Sequence, residues 1–391
     1  MQTILYLSNT CSKQYYDKIY SETGVYLSIQ ANKFNRLFAE GLVKNGADVT
    51  LLSSRPINSN VTKQKKFVKE KEIIDNLNYV YLPFINTKVL RPLTIYFNAK
   101  QEIKRWIKNN GGVIMCDVLN TMLLKAALSC VKRYKNTVKV VGIVTDLPEH
   151  LTTKKQRIKF QNNLIKKCDA FIFLTKQMNE KFNDKNKPNM VVEGFCDSEV
   201  CKPVAQKSRS IMYAGTVQSR YGIKNLLEAF SMIDDKSVVL NIFGDGDYKK
   251  QLLDFSKTNN RIIYHGTKSN EEVLKEEQKA LLLINPRPNN QEYVKYSFPS
   301  KILEYISSGT ATLTTSLPSM PKEYEDYCFV IPNNDPETIA IKLNELLKKD
   351  AQDLINFGNT AKEWALKNKN NIIVTKGVLE FLDNEVKKFT I

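Results

Sequence analysis

Apolar residues along this chain fall into short runs that alternate with segments of helical spacing. TILYLS (3–8) reads as a first strand. A loop rich in Tyr, Ser and Lys follows, and a helix is predicted over Ile29–Lys44, with Phe34, Leu37, Phe38 and Leu42 at helical spacing. Asn45-Gly46 ends it, and ADVTLLS (47–53) is the next strand. The alternation continues with YVYLPF (79–84), a helix near 95–109, GVIMCDV (112–118) and a helix near 120–134. VKVVGIVTD (138–146), a helix near 155–167 and AFIFLT (170–175) complete it. MVVEGFCDSEVCKP (190–203) then leaves a strand for a proline-containing linker.

The second half repeats the alternation more cleanly. SIMYAGT (210–216), SVVLNIFGDG (237–246), IIYHG (262–266), ALLLINP (280–286), ATLTTS (311–316) and CFVIP (328–332) are strands. Helices are predicted near 222–233, 247–257, 270–279, 299–308, 335–348 and 350–368, with a last amphipathic segment near 372–388. Alternating strands and helices imply parallel pairing, so the fold class is α/β with two doubly wound, Rossmann-like domains. The expected boundaries are 1–196 for an N-terminal domain and 197–205 for a linker. A C-terminal domain takes 206–370, and a closing helix, 371–391, packs back on the first domain. A cleft between the two domains is expected, and sheets of this kind bind ligands at the carboxyl ends of their strands.

A length of 391 residues suits two domains. With 42% apolar and 25% charged residues the composition is that of a globular protein. No apolar run reaches the roughly 18 residues of a membrane span, and the start shows no signal-peptide pattern. Seven scattered cysteines without a CxxC pair, and two distant histidines, favour free thiols and no metal centre. The net charge of +17 is lopsided: residues 1–200 hold 32 Lys and Arg against 17 Asp and Glu, the rest 26 against 24. A basic first half suggests an anionic surface as partner, a nucleic acid or an acidic membrane. No helix-turn-helix, RRM or finger pattern is evident, so no nucleic acid is expected.

Candidate chemistry lies at strand ends. After ALLLINP a polar loop, Arg287 to Ser297, leads to Pro299, a residue suited to a first helical turn. The free amides near Phe298–Lys301 would then face the carboxyl edge of a central strand and offer an anion site suited to phosphate. Glu304, one turn on, is placed to accept hydrogen bonds from a ribose; the alternative is a glutamate on the solvent edge of the helix. YAGTVQSRYG, FGDGDY and HGTKSN put small residues at three more strand ends, which admits close approach of a ligand.

The order YAGT…GIKNLLEAF, FGDGD, HGT, NPRP and SFPSKILEYISSGTATLTTSLPSMPKEY resembles retaining glycosyltransferase family 4, of the GT-B fold. The resemblance covers the C-terminal half; the N-terminal half shares architecture and fragments such as FNRLFAEGLVKNGADVTLLSS. It implies that Glu304 contacts the donor ribose, that Ser297, Phe298, Pro299, Ser300 and Lys301 hold the donor phosphates, and that Gly215 and the loop ending at Gly222 bind the diphosphate. Gly244 and Gly266 line the same donor site. Tyr296 stands where the family usually has a glutamate to the donor sugar, and Thr216 where it has an arginine. Positive charge is then expected from Arg220, Arg287 or Lys301. In the first domain Asp146 and His150, in VTDLPEHL, are placed against the transferred sugar, or else Asp146 caps the following turn and His150 is exposed. Tyr16, Gln30 and Asn32, in the long loop from Asn9 to Asn32, are candidates for acceptor binding.

The implied enzyme moves a sugar from a nucleotide-diphosphate donor to a glycan or lipid-linked glycan, with retention and without a metal or other cofactor. Capsule, O-antigen or exopolysaccharide synthesis at the inner face of a bacterial membrane is the expected setting, with a cytoplasmic, peripheral protein. Basic stretches at 63–71, 100–108 and 154–167 would face anionic lipid, with Phe67, Trp106 and Ile107 entering it. The departures at Tyr296 and Thr216 keep a catalytically weak partner subunit as the alternative, and a basic nucleic-acid binder behind it.

Overall fold

The computed structural model describes residues 2–25, 27, 29–132, 137–199 and 206–386. Most of the expected linker, 200–205, lies outside these, as do the ends of the helices expected to reach 134 and 388. The chain divides into two compact units, 1–193 with 371–391, and 194–370.

The first unit holds Thr3–Ser8 (β1), Asp48–Ser53 (β2), Lys66–Phe67 (β3), Glu70–Ile74 (β4), Leu77–Tyr81 (β5), Phe84–Ile85 (β6), Gly112–Asp117 (β7), Val138–Val144 (β8), Ala170–Phe173 (β9) and Asn189–Val191 (β10). Eight of them form a sheet in the order β10-β9-β8-β7-β1-β2-β5-β4, parallel except for β4 on β5. The adjacent strands β1, β7 and β8 read as near-continuous apolar runs, as parallel strands buried on both faces do. The β4–β5 hairpin turns on Asp75 and Asn76, at φ 48° and 66°, the left-handed pair a two-residue hairpin requires. Helix Asn371–Phe381 packs on helix Ile29–Lys44: Asn371 Nδ2 donates to Leu37 O at 3.0 Å and Asn45 Nδ2 to Ile372 O at 2.7 Å.

Two expectations fail here. The loop expected between Asn9 and Asn32 is largely helix Lys13–Thr23, capped by the Ser12 hydroxyl and closed by Gly24. Its apolar spacing is weak, and the cap supplies the start signal. The helix expected from 95 begins at Leu90, with Pro92 in its first turn, where the missing N–H is harmless.

The second unit forms Ser208–Ala214 (β11), Val239–Phe243 (β12), Ile262–Gly266 (β13), Ala280–Asn285 (β14), Ala311–Thr315 (β15) and Phe329–Ile331 (β16) into a parallel sheet, ordered β13-β12-β11-β14-β15-β16. Strand order reverses between β11 and β14, so the loops after these two strands part and leave a crevice at the carboxyl edge. Every residue of β14 is buried, as ALLLIN requires at the centre of such a sheet. In the first unit the reversal falls between β1 and β7.

Candidate functional site

The crevice of the second unit is built from backbone first. Beyond the strands, Gly215 N donates to Phe243 O at 3.0 Å, Gly244 N to Gly266 O at 2.9 Å and Val217 N to Asp245 O at 3.0 Å. The three small-residue loops are thereby joined edge to edge. Gly244 has φ 127°, and a Cβ there would lie 1.8 Å from Gly215 O. Gly222 has φ 87°, and its Cβ would lie 1.8 Å from Pro286 O, so it locks the loop after β11 against the end of β14. Thr216 is exposed, and its carbonyl accepts from Tyr213 Oη at 2.8 Å.

Arg287 sits just past β14 and is 9% exposed. One of its terminal nitrogens donates to Ser297 Oγ at 3.2 Å, and its guanidinium carbon lies 5.0 Å from the Tyr293 ring and 5.5 Å from the Tyr221 ring. Its Nε is buried without a hydrogen-bond partner, and no carboxylate pairs with it among the described residues. A buried cation without a counter-charge is unfavourable by several kcal/mol unless an anion joins it. Arg220 is exposed; it stacks 4.7 Å from the Tyr221 ring, and its carbonyl accepts from Tyr293 Oη at 2.8 Å. The two arginines and two tyrosines thus form one cluster. Tyr293 carries no motif, and its part in the cluster comes only from folding Glu292–Tyr296 as a 3-10 turn.

Helix Ser300–Ser308 ends at Gly309 in the left-handed conformation. Pro299 is its N-cap, so the helix starts one residue later than expected, with no side-chain cap on the first amides. Phe298 points into a core cluster with Tyr324, so its backbone alone is available to a ligand. Ser300 is exposed, and Tyr296 closes the 3-10 turn. Glu304 is 9% exposed, which removes the solvent-edge alternative. It bonds Lys301, whose Nζ also lies 3.6 Å from the wholly buried Glu277. Burial pulls the Lys301 ammonium down, but the two carboxylates outweigh it and hold the group above the usual lysine range. Lys301 is therefore compensated within the protein and orients Glu304, whereas Arg287 is not compensated. Glu277, on helix Asn270–Lys279, was hidden in the sequence among exposed glutamates. Tyr305 Oη accepts from Ala214 N at 2.8 Å and fixes this helix to β11.

In the first unit Asp146 Oδ1 accepts from Leu147 N at 2.7 Å and lies 2.5 Å from His150 Nδ1. Asp146 thus caps the turn, His150 is exposed, and the two form one pair past β8. Tyr16 Oη donates to Leu27 O at 2.6 Å, and Gln30 is exposed. Asn32 is 5% exposed and accepts from Cys11 N at 2.9 Å, so it braces the chain after β1. A residue the sequence did not single out is Asp117, at the end of β7 beside the strand-order reversal. Burial pushes its carboxyl up to about 6, against hydrogen bonds from Leu119 N, Asn35 and Asn120.

Because that acid is weaker in the folded than in the unfolded chain, the folded state holds its proton more tightly between about pH 4 and about pH 6. Stability contributed by this group accordingly falls as pH rises through that window and levels off above it. Denaturant titrations of wild type and Asp117→Asn are expected to diverge in the variant's favour across it, by at most about 3 kcal/mol. A pH-independent difference would count against the assignment.

The fold and crevice define a doubly wound α/β protein whose second unit has a buried arginine without a counter-charge past the carboxyl edge of its central strand. Residues 201–364 match the family model described as "Glycosyl transferases group 1", a match that falls on the second unit. No curated protein matches the chain by sequence. Among solved structures, sucrose-phosphate synthase from Thermosynechococcus elongatus is similar at TM-score 0.66 and 14% identity, over 97% of this chain and 98% of that one. HepE of Anabaena in complex with UDP-glucose is similar at TM-score 0.64 and 13% identity, over 98% and 100%. WaaG, a glycosyltransferase involved in lipopolysaccharide biosynthesis, is similar at TM-score 0.62 and 12% identity, over 97% and 100%. These likenesses establish the GT-B fold.

Proposed function

We propose that this protein transfers a sugar from a nucleotide-diphosphate donor to a glycan or lipid-linked glycan acceptor, with retention, as in family 4. Buried, uncompensated Arg287 beside the start of helix Ser300–Ser308 carries the reading. A diphosphate would supply the missing negative charge, with the Phe298, Ser300 and Lys301 amides and Arg220 as further donors. Glu304, oriented by Lys301, would accept from the ribose hydroxyls. As the anomeric carbon–oxygen bond to the diphosphate breaks, the acceptor hydroxyl forms the new bond on the same face, and its proton passes to the departing phosphate oxygen. Charge from Arg287 and Arg220 serves the role a metal has elsewhere, so turnover should persist in a chelator. Asp146 and His150 are proposed to contact the transferred sugar, and Tyr16, Gln30 and Asn32 to border the acceptor. Bacterial surface-polysaccharide synthesis, at the cytoplasmic face of a membrane, is the proposed setting.

Calorimetry with a panel of nucleotide sugars tests this reading. One donor should bind, and Glu304→Ala should weaken it by roughly 1–3 kcal/mol, the range for losing a charged hydrogen bond. The fold should hold, because Lys301 keeps Glu277 as a partner. Unchanged affinity would remove Glu304 from the site. Donor binding with neither transfer nor hydrolysis would identify a non-catalytic partner subunit.

A further inference from the structure

The apolar residues expected to enter a lipid surface do not face outward: Phe67, Trp106 and Ile107 are each 7% exposed and belong to the core. A different set does. Val89, Leu90, Leu93 and Phe97 are 71%, 43%, 49% and 60% exposed at the start of helix Leu90–Asn109. Spaced three and four apart, they form one stripe. The stripe continues into exposed Gln101, Lys104 and Lys108, so the outer face turns from apolar to basic along the helix. The opposite face, with Ile95, Ala99, Ile103 and Trp106, already packs inward, so the core does not need the stripe.

The surface extends sideways. Phe97 meets the Tyr96 ring edge-on at 5.2 Å, and Lys125 lies 5.0 Å from Tyr96 and 5.7 Å from Phe160 on helix Lys155–Ile165. Helices Leu90–Asn109, Thr121–Val131 and Lys155–Ile165 carry five, one and three Lys or Arg against the one acidic residue Glu102, which already bonds Lys69 and Arg105. Exposed apolar side chains set in a basic, aromatic field match an anionic bilayer, where the apolar tip enters the headgroup region and the lysines meet phosphates. A second copy of this face would bring like charges together.

We propose that this face docks on anionic phospholipid, with Val89, Leu90, Leu93 and Phe97 as the inserting tip. The helix starts at the carboxyl edge of its sheet, where an Arg91 terminal nitrogen donates to Arg55 O, just past β2, at 3.4 Å. Docking there sets the edge at which α/β sheets bind ligands beside the headgroups, within reach of a glycan carried on lipid. This rests on the glycosyltransferase reading and identifies how its acceptor would be met.

Flotation of the full chain with phosphatidylcholine vesicles, with and without phosphatidylglycerol, tests the proposal. The wild type should float with anionic vesicles only, and less at high salt, as screening over about 10 Å at 0.1 M requires. A Leu93→Ser/Phe97→Ser variant should lose binding by roughly tenfold or more. Ile341→Ser, which alters an apolar position 70% exposed on helix Pro336–Leu347 of the second unit, should not. Equal recovery with neutral vesicles, or unaltered flotation of the first variant, would overturn the proposal. So would a change in oligomeric state of that variant by light scattering, which would make the face a contact between copies. Donor affinity measured without lipid should be the same in all three proteins. Its absence from the wild type would sink the enzymatic reading and leave the flotation result standing.

Discussion

Arg287→Gln is expected to lower kcat roughly 100- to 1,000-fold, the loss seen when one preorganised donor to a developing charge is removed. Arg287 is buried past the end of β14, holds Ser297 through one nitrogen and leaves Nε without a partner. It is also without a carboxylate among the described residues, so in the unliganded protein its charge is a burden on folding. The same variant should therefore melt at an unchanged or higher temperature without ligand, while losing most of the thermal shift that a nucleoside diphosphate gives the wild type. A residue that only supported the fold would behave the other way, with a lower melting temperature and kcat little altered in the protein that remains folded. Scans with and without the diphosphate, beside initial rates, separate the two cases.

Gly222→Ala should destabilise the second unit by roughly 2–5 kcal/mol. Its φ of 87° is strained for any residue with a Cβ, and that Cβ would stand 1.8 Å from the Pro286 carbonyl. Both partners are backbone, and Pro286 is tied to the buried strand β14, so neither can yield without opening the crevice. Arg287 is the next residue and Arg220 lies two before the glycine, so movement there separates the two arginines. Donor affinity should fall along with stability. Denaturant unfolding and donor titration together check this; a variant of normal stability and affinity would show that the loops are not locked as described.

Much of this molecule was legible in its sequence because the signals were local. Parallel strands buried on both faces must be apolar runs, so ALLLIN and its neighbours announced the α/β class before any contact was known. Gly309 and the strand-end glycines marked a helix end and close backbone approaches, and the loops of the second unit followed. Other features depended on residues distant in sequence. No spacing rule pairs Lys301 with Glu277, 24 positions earlier, so folding alone decided that this lysine is neutralised while Arg287 is not. Asn32 could be singled out in the sequence as an amide, but only the fold shows that its Oδ1 accepts from Cys11 N, 21 positions earlier. Trp106 and Phe97 lie on the same helix, yet one is buried and the other exposed, because the neighbouring elements cover only one side of it. Composition could state that the first half is basic. Only the packing of three helices decided which apolar side chains stand within that charge, since burial depends on what comes to lie against a residue and not on the residue itself.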